Sequence, residues 1–125
     1  LIRTYLVVSA LREEYLMSIF QSPEPAPSHI GLPSDKILLE LSDFYKVFGD
    51  YSRIRILFAL LDCELSVNEL ADTLEMSQSA VSHQLRILRQ NKLVKMRKSG
   101  KNSLYSLGDE HVYKVLTQGL EHLSH

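Results

Sequence analysis

Apolar residues recur at helical spacing once the chain passes Ile37. Ile37, Leu41, Phe44, Tyr45 and Phe48 fall at i, i+4, i+7, i+8 and i+11, one stripe of an amphipathic helix. Ser34 is placed to cap its start, with Asp35 in the first turn, and Gly49 stops it. A second helix is predicted from about Tyr51 to Leu61. Ile54, Ile56, Leu57, Phe58, Leu60 and Leu61 make it apolar nearly all round, the pattern of a buried central helix. Ser66-x-x-Glu69 is a capping box and opens a short third helix that ends near Leu74. Glu75-Met76 reads as a tight turn, after which Ser77 caps a fourth helix reaching about Asn91. The period then changes from helical to alternating. Val94 and Met96 point one way, Lys95 and Arg97 the other, Ser99-Gly100-Lys101 turns, and Ser103 to Leu107 returns as a second strand. Asp109 caps a last helix that runs to the end of the sequence. The predicted class is mainly α with a small β-hairpin.

Before Ser34 the chain has a different character. All four prolines, Pro23, Pro25, Pro27 and Pro33, lie within eleven residues, so Ser22 to Pro33 reads as an extended linker. Residues 1–33 are therefore read as an N-terminal extension and linker, and residues 34–125 as the body. Arg12-Glu13-Glu14 can be encoded by purine-rich codons just upstream of Met17, as a ribosome-binding site is when it is translated by mistake. The expectation is that synthesis starts at Met17 and that residues 1–16 are not native. The alternative is a genuine amphipathic extra helix. A signal peptide is excluded, because Arg12, Glu13 and Glu14 interrupt any apolar core and no small-residue cleavage site follows. No apolar run approaches the ~20 residues of a membrane span. The one cysteine, Cys63, excludes an internal disulfide framework and a Cys-rich zinc finger. It reads as a small core or loop residue, and a cytoplasmic location is expected.

Net charge is −1, but its distribution is uneven. From Met76 to Gly108 there is no Asp or Glu, while Arg86, Arg89, Lys92, Lys95, Arg97, Lys98 and Lys101 fall in the same stretch. The remainder carries seven basic against fifteen acidic residues, a net of −8. Such segregation marks a binder of polyanions, the alternative being a solvated basic face. The element order is helix, helix, short helix, turn, helix, basic hairpin, helix. Two helices joined by a tight turn and followed by a hairpin make a winged helix-turn-helix, whose second helix enters the major groove of DNA. Its exposed positions are Gln78, Ser79, Ser82, His83 and Arg86, short hydrogen-bonding groups plus one long cation, suited to base edges and phosphates. Ala80, Val81, Leu85 and Leu88 face the core. Lys95, Arg97, Lys98 and Lys101 on the hairpin are placed to reach phosphates. His83 is assigned to DNA or packing rather than to metal, because no second ligand lies within a turn of it.

At these residues the sequence resembles a known family. Phe48-Gly49-Asp50-Tyr51-Ser52-Arg53-Ile54-Arg55-Ile56-Leu57 is similar to the second-helix signature of ArsR/SmtB-type metalloregulatory repressors. Ser77-Gln78-Ser79-Ala80-Val81-Ser82-His83-Gln84-Leu85-Arg86-Ile87-Leu88 resembles that family's recognition helix, and Ser103-Leu104-Tyr105-Ser106-Leu107 agrees with its hairpin. The resemblance covers about Leu38 to His125.

The last helix carries a second constellation, Asp109-x-His111 and His122-x-x-His125. At ~100° per residue, His122 lies about 20° round the helix from His111 and His125 about 40° the other way, so all three share one face. The alternative is an ordinary polar helix face. His111 and His122 are roughly 16 Å apart along an α-helix, too far for one ion with ~2 Å bonds. Asp109 and His111 must therefore combine with His122 and His125 of another chain, and two antiparallel copies give two identical sites. Val112, Val115, Leu116 and Leu123 supply an apolar stripe for that contact, and Gly119 permits close helix approach. Three imidazoles and a carboxylate form a closed tetrahedral set that suits Zn²⁺.

The family resemblance implies the same set, because its zinc-sensing branch carries Asp-x-His and His-x-x-His/Glu on the last helix, bridging a dimer. Its other metal site uses cysteines in a Leu-Cys-Val-Cys-like string; here Leu65-Ser66-Val67-Asn68 has no thiol. The expected protein is a winged helix-turn-helix, dimeric through its first and last helices, that binds operator DNA metal-free and is released by Zn²⁺. The resemblance supplies the direction of that switch. The alternatives are a Co²⁺ or Ni²⁺ sensor or a vestigial site. A zinc hydrolase is disfavoured: the set has no free carboxylate base beside it, and four ligands leave no open position. No small organic substrate and no membrane partner is expected.

Overall fold

A computed structural model describes residues 31–124. The expectations for Met17, for residues 1–16 and for the linker before Gly31 lie outside them, as does His125. The chain divides into two compact units, residues 1–44 and 45–125, with the division inside the first helix. That helix, α1, is Asp35–Phe48. Its start follows the predicted cap, Ser34 Oγ accepting the Ile37 N–H at 3.3 Å.

In the second unit the elements follow in the expected order. Helix α2 is Tyr51–Ala59, capped by the Asp50 carboxylate on the Arg53 N–H at 3.1 Å. Helix α3 is Val67–Leu74. Its capping box is complete: Ser66 Oγ accepts the Glu69 N–H at 3.2 Å, and Glu69 Oε1 accepts the Ser66 N–H at 3.1 Å. Glu75 ends it in the left-handed conformation, φ 55° and ψ 46°, and so swings the chain into the turn. Helix α4 is Gln78–Gln90, with Ser77 Oγ on the Ala80 N–H at 3.1 Å. Strands β1 (Val94–Ser99) and β2 (Asn102–Leu107) pair antiparallel, from Val94↔Leu107 to Ser99↔Asn102. Gly100, at φ 62°, takes the first central position of the two-residue turn, as a II′ hairpin requires. Helix α5 is Glu110–Leu123, capped by Asp109.

One pairing was not legible in the alternation. Leu65 exchanges backbone hydrogen bonds with Tyr105 at 3.0 and 2.8 Å, and so ties the approach to α3 against β2. A single residue has no period to read.

The core of this unit is Ile56, Leu57, Leu70, Val81, Leu85, Leu88, Leu93, Val112 and Leu116, none more than 3% exposed. Each such Leu or Ile contributes about 1.5–3 kcal/mol relative to exposure. Helix α2 is less uniformly buried than its composition suggests, since Ile54 and Phe58 are only half-buried. The apolar stripe of α5 also needs correcting. Val112 and Leu116 pack into their own chain's core, so they are not available to a partner helix. The apolar side chains that α5 leaves exposed are Tyr113, Leu120 and Leu123. Cys63 is exposed in the loop after α2, not in the core, with its thiol 3.4 Å from the Ala59 carbonyl.

Candidate functional site: a nucleic-acid face and a metal-ligand helix

The helix-turn-helix is held by two arginines of α2. Arg53 Nε donates to Gln84 Oε1 at 2.9 Å, which pins the middle of α4 to α2. Arg55 donates to the Leu74 carbonyl at the end of α3, where the turn begins, and lies over the Tyr51 ring at 5.5 Å. Sequence reasoning did not assign these struts. The available signal was two cations inside an otherwise apolar helix. Gln84 is thereby occupied, whereas Gln78, Ser79, Ser82, His83 and Arg86 all stand exposed on α4. Val81, Leu85 and Leu88 are buried on its other side, and Ala80 is half-buried. The exposed face can therefore donate and accept short hydrogen bonds and place one guanidinium at its edge.

Lys95, Arg97, Lys98 and Lys101 are exposed on the hairpin, but they are not equivalent. Lys98 Nζ donates to Ser103 Oγ at 2.9 Å, a neutral partner that leaves its charge unbalanced. Arg97 Nε meets Glu64 Oε2 at 2.6 Å and is balanced. The hydrogen bond from Arg97, reinforced by the positive field of Arg97 and Lys95, holds the Glu64 carboxyl below its ordinary range. The same contact raises Arg97 further above its own. The acid-free run is thus a property of the linear sequence; folding brings in a carboxylate from 33 residues away.

On α5, Asp109 and His111 meet: Oδ1 and Nδ1 are 3.6 Å apart and both side chains are more than half exposed. Asp109 Oδ1 also caps the helix, accepting the Val112 N–H at 3.1 Å, which leaves Oδ2 for another ligand. His122 is exposed in the last turn of the same unbroken helix, and His125 lies outside the described residues. Among the described residues no three His, Cys, Asp or Glu side chains of one chain converge. Asp109 and His111 thus offer a carboxylate and an imidazole side by side at the start of α5, donor types that suit Zn²⁺ and other divalent transition metals.

These features define a winged helix-turn-helix. Residues 50–96 match the family model for bacterial regulatory proteins of the arsR family. The chain is 45% identical over 84 residues to the transcriptional repressor SmtB homologue of Synechocystis sp., a stretch covering 67% of this chain but only 64% of that protein, less than two thirds of its length. It is 35% identical over 85 residues to the cadmium resistance transcriptional regulatory protein CadC homologue of Staphylococcus aureus, covering 67% of this chain and 70% of that one. Its fold matches reduced HlyU from Vibrio cholerae with a TM-score of 0.63 at 37% identity, over 67% of this chain and 88% of that one. The chain belongs to the ArsR family of bacterial regulatory proteins. Among the described residues, no helix is long and apolar enough to cross a membrane.

Proposed function

We propose that the protein is a cytoplasmic, homodimeric transcriptional repressor that holds operator DNA when metal-free and releases it on binding Zn²⁺. The observation that carries the DNA half is the juxtaposition of the exposed polar face of α4 with a hairpin bearing unbalanced cations. In this reading α4 lies in the major groove and the hairpin follows the phosphates, a contact that gives affinity without sequence. The likeness to a protein described as a repressor supports the direction of regulation.

The metal half rests on Asp109 and His111 of one chain with His122 and His125 of its partner. Zinc held there supplies a cross-link between the two last helices. Leu123, 82% exposed, and Leu120, 53% exposed, lie close to His122 in sequence, and this exposed apolar surface, which a second copy would cover, supports the dimer. The likeness to a cadmium resistance regulator supports metal sensing but not zinc in particular. Co²⁺ or Ni²⁺ is the second reading, favoured by the same imidazole-rich donors, and metal titration of the purified dimer separates them. At the family's cysteine string, Ser66 is committed to capping α3, which leaves that position without a metal role.

Two substitutions test the DNA half. Arg86→Ala is expected to weaken binding to DNA from upstream of the protein's own gene about 10-fold. Lys98→Ala is expected to lower the salt slope by about one unit. Unchanged affinity and slope in both, at ~100 mM salt, contradict the assignment of α4 and the hairpin.

A further inference from the structure

Resting on the DNA-binding reading, the geometry points to Glu64 as an internal competitor for the DNA backbone: its carboxylate occupies the Arg97 guanidinium that a phosphate would otherwise take. Three observations carry this. The contact is a charge-assisted hydrogen bond from Arg97 Nε to Glu64 Oε2 at 2.6 Å. Both side chains are open to solvent, 58% exposed for Arg97 and 39% for Glu64, so an incoming phosphate can reach the guanidinium without unfolding anything. Finally, Glu64 is held in place by the backbone: the next residue, Leu65, is bonded in both directions to Tyr105 on β2, and β2 pairs with the strand that carries Arg97. The competitor's backbone is thus anchored one residue from a bridge to the sheet, although Glu64 itself lies in the connection between α2 and α3.

The consequence is a wing whose attraction for DNA is deliberately incomplete. An exposed ion pair adds little to folding stability, so stabilising the hairpin is a weak reason for it. Its effect on a polyanion is larger. A balanced guanidinium neutralises no phosphate and releases no counterion until it is exchanged, whereas Lys98, bonded to a hydroxyl, keeps its full charge. Lys95, which contributes to the field at Glu64, remains beside the pair after any exchange. Glu64 therefore sets the sequence-independent part of the affinity low, which leaves discrimination to the residues of α4 and makes release by a modest coupling energy sufficient.

The test uses the full-length dimer and a labelled duplex of about 30 base pairs of arbitrary sequence, titrated between about 50 and about 200 mM salt. This probe reports phosphate contacts whatever the operator is. Glu64→Gln is expected to tighten binding about fivefold at ~100 mM salt and to steepen the salt slope by about one unit. In an Arg97→Ala background the same change is expected to give no gain. Glu64→Gln binding that is unchanged or weaker than the parent's overturns the proposal, because Glu64 then positions Arg97 rather than competing for it. A gain that persists in the Arg97→Ala background also overturns it, since Glu64 then acts by general repulsion. Failure of the parent to bind the duplex even at ~50 mM salt is a separate result and removes the DNA-binding reading itself.

Discussion

Alanine at position 108 is expected to cost the second unit about 3 kcal/mol, the upper end of what an overpacked site loses, and to lower its melting temperature by more than ~10 °C. The reason is space. A Cβ built on Gly108 lies 2.3 Å from the Lys92 carbonyl oxygen and 3.2 and 3.3 Å from the carbonyl carbons of Lys92 and Leu93. All three are backbone atoms, so no side chain can rotate away. The approach is fixed from both sides: the Gly108 N–H donates to the Leu93 carbonyl at 2.9 Å, and Lys92 is held at φ 60° to let the chain leave α4. Gly108 is also where the hairpin hands over to α5, one residue before Asp109. A shift there displaces Asp109 and His111 together, so metal affinity is expected to fall in the same variant. Thermal unfolding checks the first effect; a melting temperature equal to the parent's contradicts the close approach.

The second large effect concerns which chain supplies which ligand. Helix α5 runs unbroken from Glu110 to Leu123, so His111 and His122 stay about 16 Å apart within one chain. A dimer carrying Asp109→Ala and His111→Ala in one chain, and His122→Ala and His125→Ala in the other, is expected to keep one zinc site and lose the other. Each pure double variant is expected to lose more than ~100-fold in zinc affinity at both sites. Counting zinc per mixed dimer checks it, and two intact sites or none contradict the cross-chain arrangement.

What the sequence made legible followed from locality. The starts of α3 and α4 are written in Ser66, Glu69 and Ser77, whose side chains bond backbone groups only three residues away. The hairpin was equally readable because alternation and a glycine at the turn act over a few residues. What escaped the sequence lies farther along the chain. Glu64 meets Arg97 across 33 residues and Arg53 meets Gln84 across 31, and no periodicity encodes such pairs. The α5 stripe shows a different failure. Period alone put Val112, Val115, Leu116 and Leu123 on one apolar side, but it could not say that Val112 and Leu116 turn toward their own core while Leu123 is left outside. Of the proposed metal ligands, the Asp109-x-His111 spacing was legible, and these two side chains are adjacent in space.

The central claim, that metal on α5 governs DNA on α4 and the hairpin, is tested most directly by one titration. DNA from upstream of the protein's own gene is titrated with the dimer, first with chelator and then with two equivalents of Zn²⁺ per dimer. Zinc is expected to weaken binding by roughly 5- to 150-fold, the range of an ordinary coupling energy, and DNA must then weaken zinc binding by the same factor. Affinity that is unchanged or tighter when both zinc ions are bound contradicts the account.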